Sequence, residues 1–368
     1  MLVSHSSVLL GLIAVATMQV SAMPSILLYT KTAGYRHDSI PVAVETITAL
    51  GNGSLQLPSS VIDDSISAIR WSSYHTEDQT LFHNQSFLSQ FDAISFVSTS
   101  DVDPPGVGTV LDDQGLRNFA SYIQAGGGFI GIHAAAVTLY GAPFYGRLLG
   151  AYFDYHPAIQ NVSVKPVTTD HPSTSRLPLD GFEIYEEMYQ FRSDPRQLPS
   201  PANLLMTNAT AYQDGGVNAL GFRNGTNGPA PHPLAWWREG GLLDEDDSTD
   251  PSVRGGGGAN IQVSGGPGRS WFTSLGHDNT TWAKDLYKGH VAGGIGWVLQ
   301  SQTIRSNNGS ATIGQSNGTS SVTVPTSAAS SAAAGTGSGS NNAESLGVSM
   351  WLLAIVSTFV MSGSLLVI

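Results

Sequence analysis

The sequence predicts an α/β fold: a mostly parallel sheet with helices on both faces and antiparallel additions at its edge. Three observations carry this. Strand-like and helix-like patterns alternate through the first half of the chain, the signature of a parallel sheet with right-handed crossovers. Several apolar runs, such as DAISFVS at Asp92 to Ser98, lack polar alternation and read as strands buried on both faces. Three apolar strands are each followed closely by a histidine: SILLYTK (Ser25 to Lys31) before His37, FIGI (Phe129 to Ile132) before His133, and SWFTSLG (Ser270 to Gly276) before His277. In an open α/β sheet the carboxyl ends of the parallel strands share one edge, where ligands bind. If these three strands are parallel, their imidazoles meet.

Ile26 to Tyr29 is the first predicted strand. His37 to Leu50 follows as a helix, with Ile40, Val44, Ile47 and Leu50 at helical spacing, Asp38 or Ser39 to cap it, and Pro41 in its first turn. Ser67 to Tyr74 reads as a second strand and Asp92 to Ser98 as a third. Leu111 to Gln124 is a second helix with Leu116, Phe119, Tyr122 and Ile123 inward, closed by Gly126 to Gly128. Phe129 to Ile132 is the fourth strand.

The second half is less regular. Val162 to Val167, Glu183 to Phe191, Leu204 to Thr207, Leu234 to Arg238 and Trp271 to Ser274 read as strands, several of them antiparallel, and Trp282 to Leu299 as a closing helix. Gly240 to Gly268 holds an acidic run, Asp244 to Asp247, and a glycine run, Gly255 to Gly258. It reads as an excursion between strands. A calcium loop would need the ordered Asp-x-Asp-x-Asp-Gly spacing, which is missing.

Four segments carry chemistry. In GYRHDS, Arg36 and His37 sit before a helix start, whose free N–H groups and partial positive charge suit a hydroxyl, carboxylate or oxyanion; the plainer alternative is that His37 caps and packs. In Gly131-Ile132-His133-Ala134-Ala135, a strand, a sharp turn through small residues and a helix outline a nucleophile elbow. Its central side chain is an imidazole, suited to general-base work or metal ligation rather than to a covalent intermediate. In EIYEEMY, strand alternation puts Tyr185, Glu187 and Tyr189 on one face and Glu186 on the other. An acid flanked by tyrosines fits a polyol. In HPLAWWR, His232 starts a strand on which Trp236 and Trp237 face opposite ways, one to the core and one free to stack on a sugar. His156-Pro157 and His171-Pro172 mark turns.

The ends of the chain predict export. Val8 to Val20 is an apolar run before Val20-Ser21-Ala22, a signal-peptidase pattern, so residues 1–22 are expected to be a signal peptide. Residues 303–342 are dominated by Ser, Thr, Gly, Ala and Asn, a stalk composition. Residues 343–368 end in an apolar tail without basic stop-transfer residues, the pattern of a GPI-attachment signal; a tail-anchored helix is the alternative. Sequons at Asn52, Asn84, Asn161, Asn208, Asn224, Asn279, Asn308 and Asn317 agree with a glycosylated, secreted protein. Residues 23–302 are then the folded domain, long enough for one large core.

Composition narrows the chemistry. There is no cysteine, which excludes disulfides, thiol nucleophiles and thiolate metal sites. The formal net charge of −12, with no basic stripe, argues against nucleic acid as a partner. No His-Glu-x-x-His helix or phosphate-cradling P-loop is present, and the one Gly-x-Ser-x-Gly match, Gly314 to Gly318, falls in the stalk composition rather than at a strand-to-helix elbow.

The blocks TKTAGYRHDSI, FDAISFVSTS, YIQAGGGFIGIHAAA, YGRLLGAYFDYHP, DHPSTSRLP, EEMYQF, HPLAWWRE and SLGH, from about Ser25 to Leu299, together resemble the trehalose-utilisation (ThuA-like) domain. The resemblance implies a flavodoxin-like fold of the class I glutamine amidotransferase type and a tie to carbohydrate catabolism. His133 lies where relatives of that wider fold carry the elbow cysteine, so amidotransferase activity is not expected. The resemblance points to Arg36, His37, His133, Glu187, Tyr189, His232 and His277 as cleft residues. Two departures stand out: Met188 replaces a common tryptophan, and Gly240 to Gly268 replaces a short turn.

The expectation is a GPI-anchored surface protein acting on a saccharide, a cell-wall glycan or an oxidised (keto) sugar, as a hydrolase, lyase or isomerase. His133, Glu187 and His277 are the catalytic candidates, and Arg36, His37, Tyr189, His232 and Trp236 the substrate-binding ones. No cofactor is certain; a divalent metal is an option, with His37, His133, Glu187 and His277 as its ligands. The alternative is a non-catalytic carbohydrate-binding or wall-associated surface protein.

Overall fold

The computed structural model describes residues 23–102, 108–198, 200–215, 230–239 and 268–300. The segments expected to be signal peptide, stalk and anchor tail, together with Asn224, Asn308, Asn317 and the acidic and glycine runs between 240 and 267, lie outside them.

Among the described residues the main sheet has nine strands. Five are parallel: β1 (Ser25–Tyr29), β2 (Ser72–Thr76), β3 (Ala93–Val97), β4 (Gly128–Ile132) and β11 (Arg269–Thr273). Their order is β2-β1-β3-β4-β11, the doubly wound 2-1-3-4-5 arrangement of flavodoxin-like folds. Beyond β11 come four antiparallel strands: β10 (Ala235–Glu239), β9 (Asn203–Asn208), β6 (Gln160–Pro166) and β7 (Phe182–Glu186). A separate ribbon pairs β5 (Phe153–Tyr155) with β8 (Gln190–Phe191). The register aligns Tyr29 with Phe96, and Ile132 with both Val97 and Thr273, so the parallel strands end together.

Every residue of β3 and β4 is buried, as their apolar sequences require. Alternation along β4 and β11 divides their side chains between two cores. Phe129 and Phe272 face α3 (Asp113–Gln124) and α4 (Pro143–Leu149), with Phe119 and Tyr145. Ile130, Ile132 and Trp271 face α1 (Ile40–Asn52) and α6 (Asp285–Leu299), with Ile47, Val291 and Ile295. Each large apolar side chain so buried contributes about 1.5–3 kcal/mol. At Gly294 of α6 an added Cβ would lie 2.2 Å from the Trp271 ring, so this glycine lets the helix seat directly on the sheet.

Some elements differ from expectation. The second strand is shorter, Ser72–Thr76, because 64–68 turn instead. The run Glu183 to Phe191 is two strands, β7 and β8, with Glu187, Met188 and Tyr189 between them; alternation therefore stops at Glu186. The closing helix is split at extended Lys284 into α5 (Asn279–Ala283) and α6. His133 opens a 3-10 turn, His133–Val137, rather than an α-helix. α2 (Gln85–Leu88) and α4 carried no strong periodic signal, being short. Among the described residues no helix is long and apolar enough to cross a membrane.

Candidate active site at the carboxyl edge of the parallel strands

The strand order reverses between β1 and β3, and the loops leaving the aligned strand ends converge there. His37 comes from the loop after β1, His133 is the first residue past β4, and His277 lies four residues past β11. The segment joining β7 to β8 brings Glu187 and Tyr189. One ligand atom from each of His37, His133, Glu187 and His277 lies within 4.8 Å of the other three.

His133 is the centre. It is fully buried and has φ +54°, the left-handed region uncommon for residues other than glycine, though histidine enters it more readily than most. The strained turn, costing about 1–3 kcal/mol, aims the ring off the end of β4. Its Nδ1 lies 2.7 Å from the Ser274 carbonyl oxygen. A carbonyl only accepts, so Nδ1 carries the proton in the neutral ring and Nε2 presents its lone pair to the site. Around Nε2 lie His37 Nε2 at 3.0 Å, the Tyr189 hydroxyl at 3.1 Å and Glu187 Oε2 at 3.6 Å. Glu187 Oε2 is also 3.3 Å from His277 Nδ1, an electrostatic contact rather than an aligned hydrogen bond, and Oε1 is 3.2 Å from His156 Nε2.

The environments separate the imidazoles. Burial, reinforced by His277, pushes the His37 pKa down to about 4. Burial and then His37 hold His133 well below the usual histidine range. Burial opposes charge on His277 as well, but Glu187, Glu186 and Asp278 outweigh it and raise its pKa. Neutral imidazoles thus stand beside one that favours its proton.

Two residues passed over in the sequence complete the site. Glu186, placed on the opposite face by strand alternation, is buried and accepts the backbone N–H groups of Gly276 (2.7 Å) and His277 (3.1 Å). Burial raises its pKa to about 7. It pins the turn that presents His277. Gly276 has φ +119°, and its carbonyl accepts from the Ser39 hydroxyl (2.9 Å) and the Trp282 indole (3.0 Å), tying α1 and α5 to the same turn. Ser39 is indeed the N-cap residue of α1, but its hydroxyl serves this bridge rather than a cap. His156, the other addition, sits in the FDYHP block whose ThuA-like pattern was the available signal.

A pocket of about 200 Å³, open at its mouth, adjoins the cluster; Tyr35, His37, Phe153, His156, Glu187 and Tyr189 line it. Tyr35 is 66% exposed and stands edge-on to His37.

Three expected binding residues are elsewhere. Trp236 is a correction: it is 1% exposed, packs on Phe272 and Phe191, and donates its indole N–H to the Leu149 carbonyl. No face of the ring is free for a sugar. Trp237 stacks on His171 instead, on the other side of the sheet. Arg36 is turned outward to Glu77 (2.7 Å), not into the cluster. His232 is buried behind the site, where Nε2–H donates to the Tyr189 carbonyl (2.9 Å) and steadies that residue's backbone. Tyr185 is exposed and does not share a face with Glu187. Met188 is fully buried in the core, so this position offers no stacking ring.

A doubly wound sheet with a histidine- and carboxylate-lined cleft at its switch point places the protein among α/β proteins whose function resides at the strand ends. The chain belongs to the ThuA (trehalose utilisation) family, whose sequence profile matches residues 25–298. Among solved structures it is similar to a ThuA-like protein from Bacteroides uniformis, at 17% identity over 76% of this chain and 93% of that one, with a TM-score of 0.49. A ThuA-like protein from Parabacteroides merdae is 16% identical over 76% and 90% of the two chains, with a TM-score of 0.47. No curated protein matches the chain in sequence.

Proposed function

We propose that this protein is a carbohydrate-active enzyme that transfers a proton at a sugar oxygen, or at the carbon beside a sugar carbonyl. The convergence of His37, His133, His277 and Glu187 on one point beside an aromatic-lined pocket carries this reading. Acid–base catalysis needs groups of opposed protonation within reach of one substrate, and pairs whose environments push their pKa values apart mark such assignments. His277 favours its proton, His133 stays neutral, and Glu187 lies between them. Tyr35 offers an exposed ring face and hydroxyl suited to a polyol, while Tyr189, buried, holds its hydroxyl on His133 Nε2. The trehalose-utilisation description of the ThuA family supports a saccharide as the substrate class.

The same reading places the protein outside the cell, with residues 1–22 removed, the domain glycosylated and residues 343–368 exchanged for a GPI anchor. Asn52, Asn84, Asn161 and Asn279 are exposed, which supports glycan attachment there; Asn208 is half-buried and donates to the Thr210 carbonyl.

The test is turnover of trehalose, keto-disaccharides and wall-derived oligosaccharides by the purified protein, against His133→Ala and Glu187→Gln. Turnover lost in both variants supports the enzyme. Absence of turnover by the wild type across the panel, together with saccharide binding that survives both substitutions, would replace it with a binding protein.

A further inference from the structure

The protons available in the cluster do not match its acceptors. His133 Nε2 has one lone pair, yet both the Tyr189 hydroxyl and His37 Nε2 press on it. His37 Nδ1 is buried without a hydrogen-bond partner, so whichever nitrogen carries its proton, one is left unsatisfied. With the proton on Nδ1, two bare lone pairs face each other at 3.0 Å. With it on Nε2, a buried lone pair is orphaned on the far side. His277 Nδ1 likewise has no hydrogen-bond partner and looks toward Glu187 Oε2, an acceptor when ionised. Buried polar groups left in this state cost about 1–3 kcal/mol each. One cation at the meeting point would take the lone pairs of His37 Nε2, His133 Nε2 and His277 Nδ1 together with Glu187 Oε2, leaving only His37 Nδ1–H, on the far side, without a partner.

The spacing fits. Ions bonded to imidazole nitrogen and carboxylate oxygen at about 2.0–2.2 Å in tetrahedral array set their ligands about 3.4 Å apart. Three of the six pairs of ligand atoms here are 3.0, 3.3 and 3.6 Å apart, and all four atoms lie within 4.8 Å of one another. The carbonyl of Ser274 on His133 Nδ1 is the kind of partner that fixes tautomer and ring direction at metal-bound histidines. Glu186, gripping the Gly276–His277 turn, fixes a second ligand.

We propose that His37 Nε2, His133 Nε2, His277 Nδ1 and Glu187 Oε2 hold a divalent first-row transition ion, with a further coordination position opening to the pocket for the oxygens of a hydroxy-ketone or polyol. Three imidazoles and one carboxylate, without thiolate, select a zinc- or iron-type ion over calcium or magnesium. This rests on the carbohydrate reading of the same site and puts the ion where that reading has the His277 proton, since a ligating Nδ1 must be bare. Glu187 Oε1, the oxygen not turned to the cluster, faces His156 Nε2 at 3.2 Å on the pocket side.

The experiment strips the purified protein with chelator, reloads it with Zn(II), Mn(II) or Co(II), and reads stoichiometry by mass spectrometry of the metal and affinity by calorimetry. One ion per chain is expected, with Co(II) bands typical of nitrogen and oxygen donors. His277→Asn, at a half-buried position, and Glu187→Gln, nearly isosteric at a buried one, should weaken binding by more than the about 10–100-fold that losing a residue which merely orients a ligand brings. Circular dichroism melts confirm that the variants fold. His156→Gln should keep the ion. Failure of all three metals to bind at one equivalent, or binding unchanged in folded His277→Asn and Glu187→Gln, overturns the inference. Turnover by metal-free protein would overturn it too while leaving the enzyme reading intact; a bound ion without turnover would do the reverse.

Discussion

The carboxylate of Glu186 receives the backbone N–H of His277 at 3.1 Å and that of Gly276 at 2.7 Å, so a residue at the last position of β7 sets where a catalytic candidate past β11 stands. The two chain segments are 91 positions apart. Glu186→Ala leaves two N–H groups without that acceptor, and about 1–3 kcal/mol of stability should be lost in urea unfolding. The His277 imidazole resonances should shift in NMR as the turn relaxes. Glu186→Gln, which keeps one carbonyl oxygen, should restore most of both. If Glu186→Ala leaves the His277 resonances in place, Glu186 does not position that ring.

His133 holds a left-handed backbone. Replacing it by glycine removes the strain, whereas alanine keeps it. His133→Gly should therefore be more stable than His133→Ala by about 1 kcal/mol, even though both lose the imidazole and any activity that depends on it. Paired denaturant melts measure the difference, and equal stability would show that the turn relaxes without cost.

Acid should destabilise the fold through its buried imidazoles. Burial holds the His290 pKa down to about 4 and that of His171 to about 3. An unfolded chain takes up these protons near pH 6.5, while the fold refuses them until far lower. Between those values the unfolded state binds more protons, so stability falls as pH falls. For His290 alone the loss from pH 7 to 5 is about 2 kcal/mol. Urea unfolding of His290→Gln should show a pH dependence shallower by about that amount; an unchanged slope would remove this residue from the explanation.

Trp236 separates packing from binding. Trp236→Phe removes the hydrogen bond to Leu149 and leaves space against Phe272, for a loss of about 1–3 kcal/mol in thermal or denaturant unfolding. Saccharide affinity of the folded variant should not change. A selective loss of affinity at unaltered stability would return this ring to the cleft.

The α/β class, most strands and the meeting of the three histidines were legible because they rest on local pattern and one topological rule. Unbroken apolar runs such as Ala93–Val97 identify buried strands, and parallel strands must share a carboxyl edge, so residues placed just past them gather there. What was hidden depended on where a strand stops. Reading Glu183 to Phe191 as one strand put Glu186 on the wrong side and Tyr185 beside Glu187. Period-two alternation has no term for a chain that leaves the sheet at Glu186 to deliver Glu187 and Tyr189 into a site. Trp236 and Trp237 were opposed as alternation requires, yet both faces of this strand are covered, so neither ring reaches the cleft.

By itself the sequence determined the layered architecture, the imidazoles at its functional rim and the ThuA family resemblance, since hydrophobic periodicity and chain connectivity act over short range. Only the tertiary structure decided which nitrogen of His133 faces the site, that Glu187 contacts both His277 and His156, and that Glu186 fixes the turn between them. Those outcomes depend on contacts between segments some 30 to 140 positions apart, and distances of a few ångströms between such segments are set by how two cores pack against one sheet.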